Sequence, residues 1–188
     1  MQTEKSALQV VYQGWLTVLS DPDHRHEVVR TTDSVAFLVY VEDWGSIILL
    51  EQSREPMKSD DNPQGLIVEV PAGRFDVELS VRELIAKEAK EELGADVHPL
   101  MDVYIINSNT PVATSPGVLT ERQHLAYVLI QSSQLESEER IFGVPGEEVI
   151  KRLRIPVKQL RDVVFQDLKT FALVQWFLNH LRSDGRIQ

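Results

Sequence analysis

The sequence predicts one mixed α/β sandwich, and three observations support that prediction. Short apolar segments rich in β-branched residues dominate the first two thirds of the 188-residue chain. One well-bounded amphipathic helix interrupts them, and the C-terminal part turns helical. This order lacks the regular alternation of strand and helix that a doubly wound parallel sheet requires. The length suffices for a single domain with a real core, so we expect residues 1–188 to form one domain.

Several segments have the composition of strands, and the two helices of the C-terminal part follow them. The predicted strands are Leu8 to Leu19 (a strand or hairpin arm), Glu27 to Arg30, Ser34 to Val41, Ser46 to Glu51, Leu66 to Val70, Val103 to Ile106, Leu125 to Ile130 and Leu153 to Ile155. The predicted C-terminal helices are Val157 to Asp162 and Leu168 to Leu181.

The central helix has clear signals at both ends. Ser80 and Glu83 are spaced as a capping box, in which each side chain bonds a backbone amide at the helix start. Gly94 supplies the left-handed residue that commonly ends a helix. We therefore predict a helix from Val81 to Leu93.

Two glutamates of this helix point to its apolar side. On a helical wheel of about 100° per residue, Glu88 and Glu92 project from the middle of the apolar arc, and Glu91 flanks it. Carboxylates held against the protein body repel each other and resist desolvation. A bound multivalent cation relieves both costs, so the pattern predicts a metal site. The alternative, a solvated face of Glu and Lys pairs, describes Glu83 and Lys87 better than the inward pair.

Composition limits the partners and the chemistry. Asp and Glu number 29 against 19 Lys and Arg, for a formal net charge of -10, and such a surface favours neither nucleic acid nor anionic membranes. An anionic substrate must therefore be met by local cations or a metal. The absence of cysteine excludes disulfides and cysteine nucleophiles. No apolar run approaches the ~20 residues of a membrane span, so we expect a cytoplasmic protein.

The glutamates belong to a longer motif, which Gly73 opens and Lys87-Glu88-Ala89-Lys90-Glu91-Glu92-Leu93-Gly94-Ala95 closes. This motif resembles the signature of the Nudix hydrolases, with Leu79 where the family has its first Glu and Lys87 where it has Arg. The resemblance implies a Nudix fold, an α/β/α sandwich around a mixed β-sheet. It implies Mg²⁺ as cofactor, with Mn²⁺ as an alternative. It marks Glu88 and Glu92 as metal ligands and Glu91 as a catalytic residue that orients or deprotonates water.

Further segments resemble the branch of this family that hydrolyses ADP-ribose and related nucleoside diphosphate sugars. Glu69-Val70-Pro71-Ala72-Gly73 resembles the strand and turn before the motif, which implies that the backbone carbonyl of Ala72 is a metal ligand. Gln52-Ser53-Arg54 resembles a segment whose Arg contacts the substrate diphosphate.

Two more segments strengthen the resemblance to this branch. Ser115 to Glu121 resembles a Ser-Pro-Gly loop that ends in a Glu, which implies that Glu121 is a substrate-binding residue. Asp167-Leu168-Lys169-Thr170 matches the start of the last helix, where Asp167 also reads as a helix cap.

The same branch carries two acidic residues in a loop before its last strand. Glu148 falls on the position of the metal ligand, and Gly146 falls on that of the base. Glu147 is the nearby acid that we assign as base. The alternative is a pair of solvated glutamates, and Glu91 then becomes the base.

The resemblance implies Mg²⁺-dependent hydrolysis of ADP-ribose or a similar nucleoside diphosphate sugar to a nucleoside monophosphate and a sugar phosphate. GDP-mannose or a UDP-sugar is the alternative, because residues 57–65 lengthen the connection between Arg54 and Glu69. An alternative of another class is a ligand-binding module with weak turnover, which the residues at positions 79, 87 and 146 favour. The resemblance to this branch implies a homodimer that pairs through its N-terminal strands, so we predict that residues 1–32 take part in dimerisation.

Overall fold

The computed structural model describes residues 8–137 and 150–183. A mixed sheet of eight strands lies between two α-helices, and the N-terminal residues form a separate three-stranded sheet. The predicted α/β/α sandwich is confirmed.

The elements follow the chain in this order. The strands are β1 (Gln9–Gln13), β2 (Thr17–Ser20), β3 (Glu27–Arg30), β4 (Ser34–Val41), β5 (Ser46–Ser53), β6 (Leu66–Glu69), β7 (Ala72–Arg74), β8 (Val103–Ile105), β9 (Val112–Ala113), β10 (Arg122–Ile130) and β11 (Lys151–Pro156). The helices are α1 (Val81–Leu93), between β7 and β8, and α2 (Leu168–Ser183), at the C-terminal end.

The large sheet is organised around β4. Its main path runs β11-β5-β4-β10-β8, with β6 added beside β5, β7 beside β4 and β9 beside β10. β4 and β10 are parallel, and the other neighbours are antiparallel. The pairing of Ala36 with Ala72 places β7 next to the first half of β4. This register places Gly73, the first residue of the sequence motif, against α1.

The alternation of side chains along β4 builds both cores. Val35, Phe37 and Val39 pack in the cluster that contains the buried face of α1. Ala36 and Leu38 pack in the cluster that contains the buried face of α2. A strand buried on both faces needs a continuous apolar run, and β4 supplies one.

α1 has the boundaries that the sequence predicts. The backbone N–H of Glu83 donates to Ser80 Oγ (3.3 Å), and the N–H of Ser80 donates to Glu83 Oε2 (2.9 Å). Gly94 adopts φ 61°, the left-handed conformation that a glycine tolerates best. This fixed start determines which side chains of the helix face the sheet.

The structure also differs from the sequence prediction. The segment 8–19 is a hairpin, β1 and β2, and the short strands β7 and β9 were not predicted because two or three residues carry no usable period. The predicted helix from Val157 to Asp162 is wrong: Val157–Gln159 form one 3₁₀ turn, and the chain then continues without helix to α2. So short a segment cannot meet the cost of helix nucleation by itself.

The small sheet β1-β2-β3 is attached to the main body through β3. The N–H of Val29 donates to Val118 O (2.8 Å), and the N–H of Thr120 donates to Val29 O (3.0 Å). β3 therefore braces the loop between β9 and β10. Within the described residues, neither helix combines the length and the apolar character needed to cross a bilayer.

Candidate active site

A cavity of about 1080 Å³ opens between α1, β7, the start of α2 and the segment from β9 to Glu121. Its walls include the side chains or backbone of Arg54, Ala72, Glu88, Glu92 and Glu121. The fold thus brings together residues from distant parts of the chain that the sequence singled out one by one.

Of the other predicted site residues, the structure describes only Glu91. Glu91 is not among the described residues that line the cavity; its side chain is 43% exposed and accepts a hydrogen bond from Lys87 Nζ (2.7 Å). Glu147 and Glu148 lie outside the described residues.

Glu88 lies directly against the backbone of β7. A Cβ atom at Gly73 would stand 2.3 Å from Glu88 Cδ, so only glycine lets the carboxylate occupy this place. The side chain of Glu88 is 13% exposed, and Lys87 Nζ lies 3.3 Å from its Oε1. Burial raises the pKa of Glu88, and the nearby Lys87 ammonium opposes that rise.

Glu92 lies one turn further along the same side of α1. Its Oε2 accepts a hydrogen bond from the backbone N–H of Ala72 (3.2 Å). Burial, with a further contribution from the charge of Glu88, raises the pKa of Glu92 to about 8. The two carboxylates thus share a partly desolvated wall on which a second negative charge is unfavourable.

This donor set fits a hard divalent cation. Among residues 8–137 and 150–183, no group of three or more Asp, Glu or His side chains is arranged to hold a metal. Mg²⁺ does not need one, because it is commonly bound by one or two carboxylates together with waters and substrate phosphates. Glu88 and Glu92 supply two such carboxylates on one wall of the cavity, and Ala72, whose carbonyl is the third predicted ligand, lines the same cavity.

Two charged residues to which the sequence analysis gave no role, Glu69 and Lys169, also line the cavity together with Arg54. Glu69 is buried at the end of β6, where its Oε1 accepts from Gln52 Nε2 (2.9 Å) and from Arg54 Nε (2.7 Å). Its Oε2 accepts from Lys169 Nζ. A glutamate inside an apolar strand, Leu66-Ile67-Val68-Glu69-Val70, was the available signal for this cluster, because a buried charge requires a partner.

Glu121 is held by hydroxyl groups rather than by cations. Its Oε1 accepts from Ser34 Oγ (2.7 Å), and its Oε2 accepts from Thr114 Oγ1 (3.0 Å). Ser34 in turn accepts from Gln123 Nε2 (3.1 Å). These contacts fix the carboxylate in the cavity wall.

An aromatic side chain stands at the mouth of the cavity. Trp15, in the turn between β1 and β2, is 83% exposed, and the guanidinium of Arg74 lies 4.4 Å from its ring centre. The exposed ring therefore presents a flat surface beside a cation at the cavity wall.

The structure accounts for both departures from the family motif. Leu79 packs against the apolar cluster under α1, and Asp76 is the acidic residue of the same loop that lines the cavity. Lys87 reaches two carboxylates with one ammonium, at 3.3 Å from Glu88 and 2.7 Å from Glu91. A single charged nitrogen thus contacts both glutamates.

No family model matches the chain, but comparison with individual proteins finds related sequences. The chain is 31% identical over 166 residues to a GDP-mannose pyrophosphatase of Cronobacter sakazakii, covering 86% of this chain and 80% of the relative. It is 28% identical over 158 residues to one of Yersinia enterocolitica, covering 82% and 78%. A third, from Pectobacterium atrosepticum, is 31% identical over 156 residues and covers 79% and 74%.

A solved structure described as an ADP compounds hydrolase superposes with a TM-score of 0.68. The match covers 96% of this chain and 95% of that chain at 17% identity, which shows the fold. The sequence relatives define the chain as a hydrolase. Together with the fold, they show that the chain belongs to the Nudix hydrolases, in the branch of ADP-ribose and nucleoside diphosphate sugar pyrophosphatases.

Proposed function

We propose that this protein hydrolyses the diphosphate linkage of a nucleoside diphosphate sugar in a reaction that requires Mg²⁺ or Mn²⁺. The products are a nucleoside monophosphate and a sugar phosphate. One observation carries the proposal: the cavity presents the desolvated carboxylates Glu88 and Glu92 together with the cations Arg54 and Lys169.

The charges of the two groups call for different partners. Arg54 and Lys169 attract a diphosphate, whereas Glu88 and Glu92 repel it. A divalent cation held by Glu88 and Glu92 would remove this repulsion, so that both walls of the cavity would favour the diphosphate. When bound, such an ion neutralises charge on the phosphoryl oxygens and lowers the pKa of a coordinated water.

The chain's own residues receive the following roles in the proposal. Glu88, Glu92 and the carbonyl of Ala72 would hold the ion, and Arg54 would hold the diphosphate. Glu121, fixed by two hydroxyl groups, would bind the substrate.

The roles of three glutamates in the motif and the loop stay predictions from the resemblance. Glu148 is a further metal ligand, and Glu147 is the base. Glu91 orients water or serves as the base in place of Glu147.

The identity of the sugar nucleotide belongs to the proposal as well. The sequence relatives are named GDP-mannose pyrophosphatases, which makes GDP-mannose the first compound to test, ahead of the ADP-ribose favoured by the sequence motifs. UDP-sugars follow. Trp15 offers the exposed ring on which a nucleobase can stack beside the diphosphate site.

We also propose that the enzyme is a homodimer. β1 exposes apolar side chains at Val10, Val11 and Tyr12 on the small sheet that braces the cavity loop, and a second copy would cover them. Light scattering at micromolar concentration tests this: a mass of one chain would contradict it. The cytoplasmic location stays a prediction.

The test of function is a substrate panel. GDP-mannose, ADP-ribose, UDP-glucose and dinucleotides are incubated with Mg²⁺, and the products are separated by ion-exchange chromatography. We expect a nucleoside monophosphate and a sugar phosphate from at least one sugar nucleotide, and no reaction in chelator. Glu92→Gln is the control that keeps the shape of the site. Retained ligand binding with no hydrolysis of any compound would support the alternative of a binding module.

A further inference from the structure

The buried carboxylate of Glu69 connects two cations from distant parts of the chain, Arg54 and Lys169. Its side chain is 4% exposed, and both of its oxygens are occupied: Oε1 by Arg54 Nε at 2.7 Å and by Gln52 Nε2 at 2.9 Å, and Oε2 by Lys169 Nζ. Glu69 therefore contacts both cations, and Asp167 Oδ1 lies 3.1 Å from Lys169 Nζ. The cluster thus pairs two carboxylates with two cations at the cavity that all four residues line.

The contact with Glu69 leaves the outer part of the Arg54 side chain available. Arg54 bonds Glu69 through Nε, and its side chain is 46% exposed. In the described part of the chain its terminal nitrogens make no hydrogen bond, so four N–H donors remain for a ligand. A guanidinium fixed at Nε presents these donors in one plane, the geometry that suits phosphate oxygens.

The main chain near Lys169 is held without help from Glu69. The N–H of Val70 donates to Thr170 Oγ1 (2.8 Å), and the N–H of Thr170 donates to Asp167 Oδ2 (2.9 Å). Lys169 Nζ also lies 3.1 Å from Asp167 Oδ1. Loss of the Glu69 charge should therefore leave Lys169 paired with Asp167 alone, no longer held beside Arg54, without moving the start of α2.

We propose that Glu69 is a positioning residue that fixes Arg54 and Lys169 as one preorganised clamp for the diphosphate of the substrate. The inference rests on the proposed function. Free arginine and lysine side chains have many rotamers, and ordering them at the moment of binding costs entropy. The contacts with Glu69 order both side chains in the folded protein, before the substrate binds. Glu69 does so without touching the substrate, because both of its oxygens are already bonded.

The test is a double-mutant cycle on kcat/KM with the best substrate of the panel. Glu69→Gln removes the charge and keeps the volume, and we expect kcat/KM to fall by about 10- to 100-fold, since displacement of a positioned group by about 1 Å has effects of that size. In the double variant Arg54→Ala, Lys169→Ala, the same substitution should change kcat/KM by less than about 3-fold, because its targets are gone. A merely structural role of Glu69 predicts equal losses of kcat/KM in both backgrounds, and that result would overturn the proposal.

A matched control separates the clamp from general loss of charge. Glu51→Gln removes a β5 carboxylate that pairs with Lys151 (3.3 Å) away from the cavity, and we expect unchanged kcat/KM. If Glu69→Gln fails to fold by circular dichroism, Glu69→Asp replaces it. The shorter side chain keeps the charge but cannot reach both cations, so wild-type kcat/KM in that variant would overturn the proposal.

The proposed function and the clamp can fail separately. If the wild-type enzyme hydrolyses no compound of the panel, the proposed function fails. The affinity for inorganic pyrophosphate with Mg²⁺, measured by isothermal titration calorimetry, then decides the clamp through the same cycle. A weaker affinity after Glu69→Gln only in the presence of Arg54 and Lys169 supports the clamp, and an unchanged affinity overturns it.

Discussion

Glu92→Gln tests whether the buried carboxylate of Glu92 destabilises the metal-free protein when it ionises. Burial raises the pKa of Glu92 from 4.5 to about 8. A carboxyl group with a raised pKa in the folded state contributes its full stability below the unfolded-state pKa, and that contribution is lost as the pH rises through the folded-state pKa. The metal-free protein should therefore lose stability between pH 4.5 and about 8.

The size of the loss follows from the shift. A rise from 4.5 to about 8 corresponds to at most about 5 kcal/mol. The side chain is partly accessible to solvent, so we expect about 2–3 kcal/mol after water has screened the charge. Glutamine cannot ionise, and the variant should keep its stability across the same window.

Urea unfolding followed by tryptophan fluorescence measures the difference. In chelator, the wild-type protein and Glu92→Gln should have similar unfolding free energies near pH 4.5, and the variant should be more stable by about 2–3 kcal/mol near pH 9. Excess Mg²⁺ should restore the wild-type protein at the higher pH and leave the variant unchanged. Glu91→Gln, which removes a carboxylate from the same helix at an exposed position, is the matched control. Parallel stability curves for wild type and Glu92→Gln would refute the reasoning.

Four further substitutions probe the site and the helix that carries it. Gly73→Ala places a Cβ 2.3 Å from Glu88 Cδ and should lower kcat by about 10-fold or more with unchanged circular dichroism; full activity would show that Glu88 can move without consequence. Lys87→Ala removes the ammonium 3.3 Å from Glu88 and with it a charge that repels Mg²⁺, so calorimetry at alkaline pH should show tighter Mg²⁺ binding; an unchanged affinity would show that Lys87 does not act on the site. Trp15→Ala should raise KM for the sugar nucleotide by about 10-fold with little change in kcat, and an unchanged KM would remove the stacking role. Ser80→Ala should lower stability by about 1 kcal/mol in urea unfolding and leave kcat unchanged.

The sequence predicted those parts of the fold that local chemistry determines. The bounds of α1 follow from Ser80, Glu83 and Gly94, each of which acts within a few residues of its own position. β4 follows from an unbroken apolar run that only a strand buried on both faces explains. β7, in contrast, has three residues and exists because β4 offers a partner edge, which no local pattern reveals.

The candidate site divides in the same way. The helical period predicts that Glu88 and Glu92 face inward, because it places them on the same side of the helix as its apolar residues. The contact of Glu69 with Lys169 joins residues 100 positions apart, so only the folded chain shows it. The close approach of Glu88 to Gly73 likewise depends on how α1 packs on β7.

The most direct test of the account is the position of a bound cation. Crystals grown with Mn²⁺ and a GDP-mannose analogue whose bridging oxygen is replaced by methylene would locate the ion by anomalous scattering. We predict a peak about 2.0–2.3 Å from carboxylate oxygens of Glu88 and Glu92, in contact with the diphosphate. An ion bound elsewhere, or a diphosphate bound with no ion between it and these two side chains, would contradict the account.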